Sequence, residues 1–136
     1  MRPSPRSILL DAQALTLLAQ KAKLVHAWTT YAESVYARLY ISSLTLTETT
    51  DGSPRDANVR RAVKLLITRP VTDDIALRAG ALRASTTRRK PRDLTVGAVV
   101  AATALTLPSP VVVLTGDPDN LRLLLADTHV LVEPVG

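Results

Sequence analysis

The sequence predicts an α/β fold in which a parallel β-sheet is covered on both faces by helices. Short apolar runs, such as residues 8–10 and 111–114, have the length and composition of strands that are buried on both faces. Helical patterns separate these runs, and the loops between them are short. With 136 residues, the chain is long enough for one domain with a hydrophobic core and too short for two ordinary domains. We therefore predict a single domain over residues 1–136, with residues 1–6 disordered.

Capping residues and apolar periodicity place the helices between the strands. In the second predicted helix, apolar side chains recur at helical spacing from Leu24 to Val35 and form one stripe, which we expect to pack in the core or in a dimer. Ser42 or Ser43 can cap a short helix that carries Glu48, and Ser53 followed by Pro54 is typical of a helix start. In chain order, the predicted elements are strand 8–10, helix 12–20, helix 21–38, strand 39–41, a short helix around residue 48, a helix from residue 53, strand 67–69, a helix from residue 72, helix 95–105, strand 111–114, helix 118–125 and strand 130–132.

The composition narrows the class of protein and of site. Apolar residues make up 46% of the chain but aromatic residues only 3%, and Phe is absent, so the core must consist of Leu, Val, Ile and Ala. The absence of Cys excludes disulfides and thiolate metal sites and fits a reducing compartment. His26 and His129 are isolated, which disfavours a histidine metal site. Because no apolar run reaches membrane-spanning length and no signal peptide is visible, we expect a cytoplasmic protein without a membrane partner.

Positive charge is concentrated in one segment. The net charge is +5, and residues 75–92 contain six basic residues and no acidic one, enough to account for the whole excess. A local basic patch on a nearly neutral body indicates a polyanionic partner such as a nucleic acid, and the alternative is an ordinary solvated surface. The basic residues of the segment are Arg78, Arg83, Arg88, Arg89, Lys90 and Arg92. All of these except Arg78 are our candidates for binding RNA.

Three carboxylates occupy equivalent places in the predicted pattern. Asp11 follows the first strand, Glu48 lies early in the helix after the second strand, and Asp117 follows strand 111–114. The carboxyl ends of parallel strands open on one edge of a sheet, so the three side chains could converge there. Such a cluster favours Mg²⁺ or Mn²⁺, which can activate water for phosphodiester hydrolysis. The alternative is that each acid only caps a helix.

Four stretches of the chain, taken together, resemble a known family. Residues 8–12, 43–48, 97–105 and 113–121 resemble, in this order, the motif blocks of PIN domains. The similarity is greatest to the VapC-type toxins of bacterial toxin–antitoxin pairs, and it covers essentially the whole chain. It implies a PIN-like domain with a parallel sheet between helices, and metal-dependent cleavage of RNA.

The resemblance also assigns roles to individual residues. It implies that Asp11, Glu48 and Asp117 bind Mg²⁺ or Mn²⁺ together with the attacking water, and that Thr115 helps to hold the site. Asp119 is a further candidate. Asn120 stands where many relatives carry another acid. The expected partners are an RNA substrate, a VapB-like antitoxin that covers the active edge, and a second copy of the chain in a homodimer.

Gly97 departs from the family pattern. PIN domains of this type carry an Asp at the head of the Ala-rich helix, directly before the position of Ala98. Gly is also a poor helix former, by about 1 kcal/mol relative to Ala. Two interpretations remain open. Either the chain is a degenerate PIN domain that binds without cleaving, or it is an attenuated form of an active toxin. In both cases we expect metal binding to be weaker than in a site with four acids.

Overall fold

Five parallel strands form the sheet in the computed structural model, which describes residues 3–86 and 94–136. The strands lie in the spatial order β3-β2-β1-β4-β5, and each neighbouring pair is parallel. This confirms the predicted parallel sheet. The strands are β1 (Ser7–Leu10), β2 (Arg38–Ser42), β3 (Ile67–Arg69), β4 (Val111–Thr115) and β5 (Leu131–Pro134).

Helices connect the strands at the places that the sequence predicts, with ends that differ by up to three residues. In the described part of the chain they are α1 (Ala12–Ala19), α2 (Lys23–Val35), α3 (Ser43–Thr49), α4 (Asp56–Val63), α5 (Asp73–Ala84), α6 (Thr95–Ala104) and α7 (Pro118–Leu124).

Alternate strand side chains divide the core into two layers, one on each face of the sheet. Leu9 and Tyr40 pack against residues of α5, α6 and α7 on one face. Ile8, Leu10 and Ile41 pack against residues of α1, α2 and α4 on the other face. Both layers consist mainly of aliphatic residues, as the composition predicts. β1 is central in the sheet and completely buried, and its carboxyl end therefore lies in the middle of one edge.

Two local predictions were wrong. Ser53 is not the cap of the fourth helix, because α4 begins at Asp56 and residues 53–55 form a turn, in which the Ser53 hydroxyl accepts a hydrogen bond from Arg55 N. On α2 the buried positions are Val25 and Ala32 rather than the stripe that starts at Leu24. Arg6 lies in the start that we expected to be disordered, yet its backbone hydrogen bonds to Pro110 and Arg38.

Within residues 3–86 and 94–136, no helix has both the length and the apolar character needed to cross a membrane.

Candidate active site

Asp11 sits at the centre of the carboxyl edge and joins two parts of the fold. Its Oδ1 accepts a hydrogen bond of 2.9 Å from Ala14 N, which makes Asp11 the N-cap of α1. Its Oδ2 accepts a hydrogen bond of 3.1 Å from Gly116 N, at the end of β4. The capping interpretation is therefore confirmed for Asp11, and the same carboxylate lies at the edge where the sequence predicts a ligand.

Glu48 lies close enough to Asp11 for the charge of Asp11 to affect the pKa of Glu48. It is on the second turn of α3, whose N-cap is Ser42, at the carboxyl end of β2. The pKa of Glu48 is raised above its ordinary value, first by partial removal from water and second by the negative charge of Asp11. A nearby cation would favour the ionised form of a carboxylate whose pKa is raised in this way.

Asp117 is at the same edge, but its side chain is engaged locally. The hydroxyl of the fully buried Thr115 accepts a hydrogen bond of 2.8 Å from Asp117 N, which fixes the turn between β4 and α7. Asp117 Oδ2 accepts a hydrogen bond of 2.8 Å from Asn120 Nδ2. Asp117 is the N-cap residue of α7, although its side chain makes no capping hydrogen bond. Asp119 is exposed in the first turn of the same helix.

Gly116 is a residue of this edge that we did not single out in the sequence. A Cβ atom at this position would lie 2.6 Å from Gln13 Cγ and 2.7 Å from Gln13 Cβ, which is closer than carbon atoms can approach. Only glycine therefore allows the turn after β4 to approach the first turn of α1 and donate its N–H to Asp11. The available signal was a glycine directly after the strongest predicted strand.

Gly97, in the first turn of α6, faces apolar side chains. A Cβ atom there would lie 3.4 Å from Leu124 Cδ1 and 3.6 Å from Leu121 Cδ2, both on α7. The position can accept a side chain with a small movement of Leu124. It lies against α7, the helix that begins directly after Asp117.

The donor set fits a divalent cation only in part. Across the described residues, no group of three or more His, Cys, Asp or Glu side chains is placed to hold a metal ion. Two observations nevertheless favour a cation at this edge: the repulsion between Asp11 and Glu48, and the buried Oδ1 of Asn120, which has no hydrogen-bond partner. Carboxylate and amide oxygens suit Mg²⁺ or Mn²⁺. The Asp11–Glu48 pair therefore fits one hard ion, held more weakly than in a site with three or four acids.

Most of the RNA-binding candidates in the predicted basic segment belong to the part of the chain that the structure does not describe. Arg88, Arg89, Lys90 and Arg92 lie outside the described residues. Arg83, in the last turn of α5, donates a hydrogen bond of 2.9 Å from Nη1 to the hydroxyl of Thr95 at the start of α6.

The described part of the chain also forms a cavity, which lies away from these acids. A cavity of about 830 Å³ opens between α1, α2 and α4, lined in part by Leu18, Ala62 and Leu65. None of the three candidate acids contributes to its lining. Its charged lining residues are Lys21, Arg38, Arg61 and Glu33.

Comparison with solved structures identifies the fold. A chain of the VapBC2 complex from Rickettsia felis, bound to a DNA fragment from its promoter, superposes with a TM-score of 0.69 at 11% identity, covering 96% of this chain and 99% of that one. A chain of the DNA-bound VapBC complex from Salmonella typhimurium gives 0.66 at 18% identity, covering 94% and 97%. A toxin–antitoxin complex from Klebsiella pneumoniae gives 0.62 at 22% identity, covering 91% and 95%.

The chain has a PIN-like fold. The likeness to these toxin–antitoxin chains confirms at the level of the fold the resemblance to VapC-type proteins. No protein-family model matches the sequence, and no curated protein matches it at a significant level. The PIN-like domain covers nearly the full length of each structural neighbour, and its edge carries Asp11, Glu48 and Asp117.

Proposed function

We propose that this chain is the toxin component of a toxin–antitoxin pair. We also propose that the edge of the sheet at the carboxyl ends of the strands is a metal-dependent ribonuclease site with fewer acids than the family pattern. The observation that carries the proposal is the proximity of two acids, Asp11 and Glu48, at the carboxyl ends of β1 and β2, where Asp11 contributes to the raised pKa of Glu48. The fold shared with chains of toxin–antitoxin complexes supports it.

In this proposal, Asp11 and Glu48 would hold Mg²⁺ or Mn²⁺, with Asp117 as a further oxygen donor. The ion would supply a polarised water and would neutralise charge on a phosphate. Thr115 and Gly116 keep the loop after β4 against Asp11 through their hydrogen bonds. The absence of an acidic residue at position 97 would account for weaker binding of the ion and slower cleavage.

The proposal is tested by incubating the purified protein with mixed single-stranded RNAs in Mg²⁺, in Mn²⁺ and in EDTA. Slow cleavage that requires the ion and disappears in Asp11→Asn is expected. Asp127→Asn is the matched control, since it removes one exposed carboxylate from the loop after α7. Cleavage that persists in Asp11→Asn, or in EDTA, would contradict the assignment of the site.

A second candidate function is a PIN-like fold that binds RNA or an antitoxin without cleaving. The absence of a three-acid metal group in the described part of the chain, together with the leucines that face Gly97, favours it. Gly97→Asp distinguishes the two candidates. Gly97→Asn is its control, because Asn has the size of Asp without the charge. A damaged nuclease gains at least tenfold in Mg²⁺-dependent cleavage from Asp but not from Asn. A folded Gly97→Asp protein that stays inert would favour the binding module.

We also propose a protein partner of the antitoxin class, because the structural neighbours are chains from such complexes. The cavity between α1, α2 and α4 suits it, since an apolar lining is combined with Lys21, Arg38 and Arg61 against a single acid, Glu33. This lining is complementary to an apolar segment that carries acidic side chains. A homodimer remains a prediction from the family resemblance.

The partner surface can be tested with two leucines of similar exposure. Leu65 lines the cavity and is 68% exposed, whereas Leu77 lies on α5 and is 74% exposed. When the chain is co-expressed with the product of a small neighbouring gene, Leu65→Glu should abolish co-purification and Leu77→Glu should preserve it. The opposite result would move the partner to the α5 face.

A further inference from the structure

We propose that Arg69 binds a phosphate of the RNA strand, next to the bond that is cut. This inference rests on the proposed function, because it concerns the same edge of the sheet. Arg69 is the last residue of β3 and lies outside the basic segment that the sequence indicated. Four observations support the assignment: its register, its face, its contact with Tyr40 and the attachment of the loop that follows it.

The register of the sheet puts Arg69 level with Asp11. Leu10 pairs with Ile41, Ile41 pairs with Thr68, and Ser42 pairs with Arg69. Arg69 therefore stands at the carboxyl edge, two strands away from Asp11. Neighbouring strands are about 4.8 Å apart, so the two backbones are separated by about 10 Å. An arginine side chain at that distance can reach a neighbouring phosphate while the scissile one lies at Asp11.

Arg69 also belongs to the same face of the sheet as Asp11. Side chains alternate along a strand, so each of these edge residues shares the face of the residue two positions before it. Tyr40, which precedes Ser42 by two, and Ile67, which precedes Arg69 by two, both pack in the α5–α6 layer, as Leu9 does. The alternation therefore assigns Asp11, Ser42 and Arg69 to one row across β1, β2 and β3.

The guanidinium of Arg69 is held in place without being neutralised. Its Cζ lies 5.3 Å from the centroid of the Tyr40 ring, and Tyr40 itself is 2% exposed and therefore fixed. Stacking on a ring occupies the face of the guanidinium and leaves its N–H edge free for an anion. Asp73 and Asp74 follow at the start of α5, but Arg69 forms an ion pair with neither of them within the described chain.

The loop after Arg69 is fastened to the helix that carries Glu48. Val71 N donates a hydrogen bond of 3.1 Å to the hydroxyl of Ser43, the first residue of α3. Any displacement of this loop would therefore also strain the start of α3. This hydrogen bond links the loop after Arg69 to the helix of Glu48, which suits an arginine that must position an RNA strand relative to this acid.

The test measures RNA binding by fluorescence anisotropy in EDTA, where the proposed cleavage cannot occur. A labelled single-stranded RNA is titrated with each protein between about 50 and 200 mM salt. Arg69→Gln should weaken binding about tenfold at low salt and reduce the slope of log Kd against log salt by about 0.7. Arg69→Lys should keep the slope and lose part of the affinity, because the charge remains and the planar fork is lost.

Arg60→Gln is the matched control, since Arg60 is an exposed arginine on α4. It should leave both affinity and slope unchanged. An unchanged slope in Arg69→Gln, or an equal change in Arg60→Gln, would overturn the inference and leave the nuclease proposal intact. The expected Arg69 effect without any cleavage would support phosphate binding by Arg69 and refute the nuclease, together with the place of that phosphate next to a cut bond. A parent protein that does not bind RNA would contradict both.

Discussion

On one side of the candidate site Asp11 and Glu48 repel each other, whereas on the other side Asp117 is already bound to Asn120. We refer to the first as the β1–β2 side (Asp11, Glu48) and to the second as the β4–α7 side (Thr115, Gly116, Asp117, Asn120). The β1–β2 side concentrates negative charge that a cation would relieve. On the β4–α7 side a single carboxylate, Asp117, accepts a hydrogen bond from the amide of Asn120, and the leucines of α7 face Gly97 beside it.

The difference separates the hydrogen bonds that shape this edge of the sheet from the carboxylates that we propose bind an ion. The hydrogen bond from Gly116 N to Asp11 Oδ2 joins the two sides, and the hydrogen bonds from Ala14 N to Asp11 and from Asp117 N to Thr115 fix each side locally. Only the number of carboxylates available to an ion differs between the sides. Structure and metal affinity should therefore respond separately to substitution, and the following predictions test that separation.

The largest effect is expected for Asp11→Ala. Asp11 accepts hydrogen bonds from Ala14 N and Gly116 N, and both amides would lose a charged partner. We expect the free energy of unfolding to fall by about 2 to 3 kcal/mol, slightly offset by the relief of Glu48. Urea denaturation measures it. Asp117→Ala is the control and should cost less than about 0.5 kcal/mol. Equal losses in both variants would contradict the structural asymmetry between the sides.

An intermediate effect is expected for Asn120→Asp. It replaces the amide that donates a hydrogen bond to Asp117 with a second carboxylate, and so adds negative charge to the β4–α7 side. Mn²⁺ affinity, followed by isothermal titration calorimetry, should rise about tenfold, because oxygen donors with negative charge bind such ions best. Asn120→Ala removes the amide and its oxygen without adding charge, and should not raise the affinity. If Ala raised the affinity as much as Asp, release of Asp117 rather than added charge would be the cause.

The smallest effect is expected for Ser43→Ala. The substitution removes the hydroxyl that accepts from Val71 N, and the loop after β3 would lose one anchor. We expect a loss of about 0.5 to 1.5 kcal/mol in the free energy of unfolding. Ser34→Ala is the control, because the hydroxyl of Ser34 bonds only to the carbonyl of Tyr31 in its own helix. A change in Ser34→Ala as large as that in Ser43→Ala would mean that the anchor has no special role.

The succession of strands and helices, and the places of Asp11 and Asp117 after their strands, were predictable because they depend on local patterns. Apolar runs that end at Asp11, and at Thr115 shortly before Asp117, define buried strands and the edge where they stop. Parallel pairing then brings the ends together without further information. The phase of α2 was not predictable in the same way. Leu24 and Tyr31 are 48% and 39% exposed because the sheet contacts Val25 and Ala32 instead.

Two features of the site required the three-dimensional structure. The need for glycine at position 116 comes from Gln13, more than a hundred residues earlier in the chain. The place of Arg69 comes from the pairing of β3 with β2, and a lone arginine before a proline gives no sign of it in the sequence. Both depend on contacts between distant segments, which periodicity and capping rules do not contain.

The central claim is that the β1–β2 side, rather than the β4–α7 side, carries the affinity for a divalent ion. Titration of Mn²⁺ into Glu48→Gln and Asp117→Asn, compared with the parent protein, tests it most directly. Each substitution removes one negative charge with little change in size. The account predicts that Glu48→Gln loses at least tenfold in affinity and that Asp117→Asn loses about threefold or less. Loss of binding in Asp117→Asn together with retained binding in Glu48→Gln would contradict it.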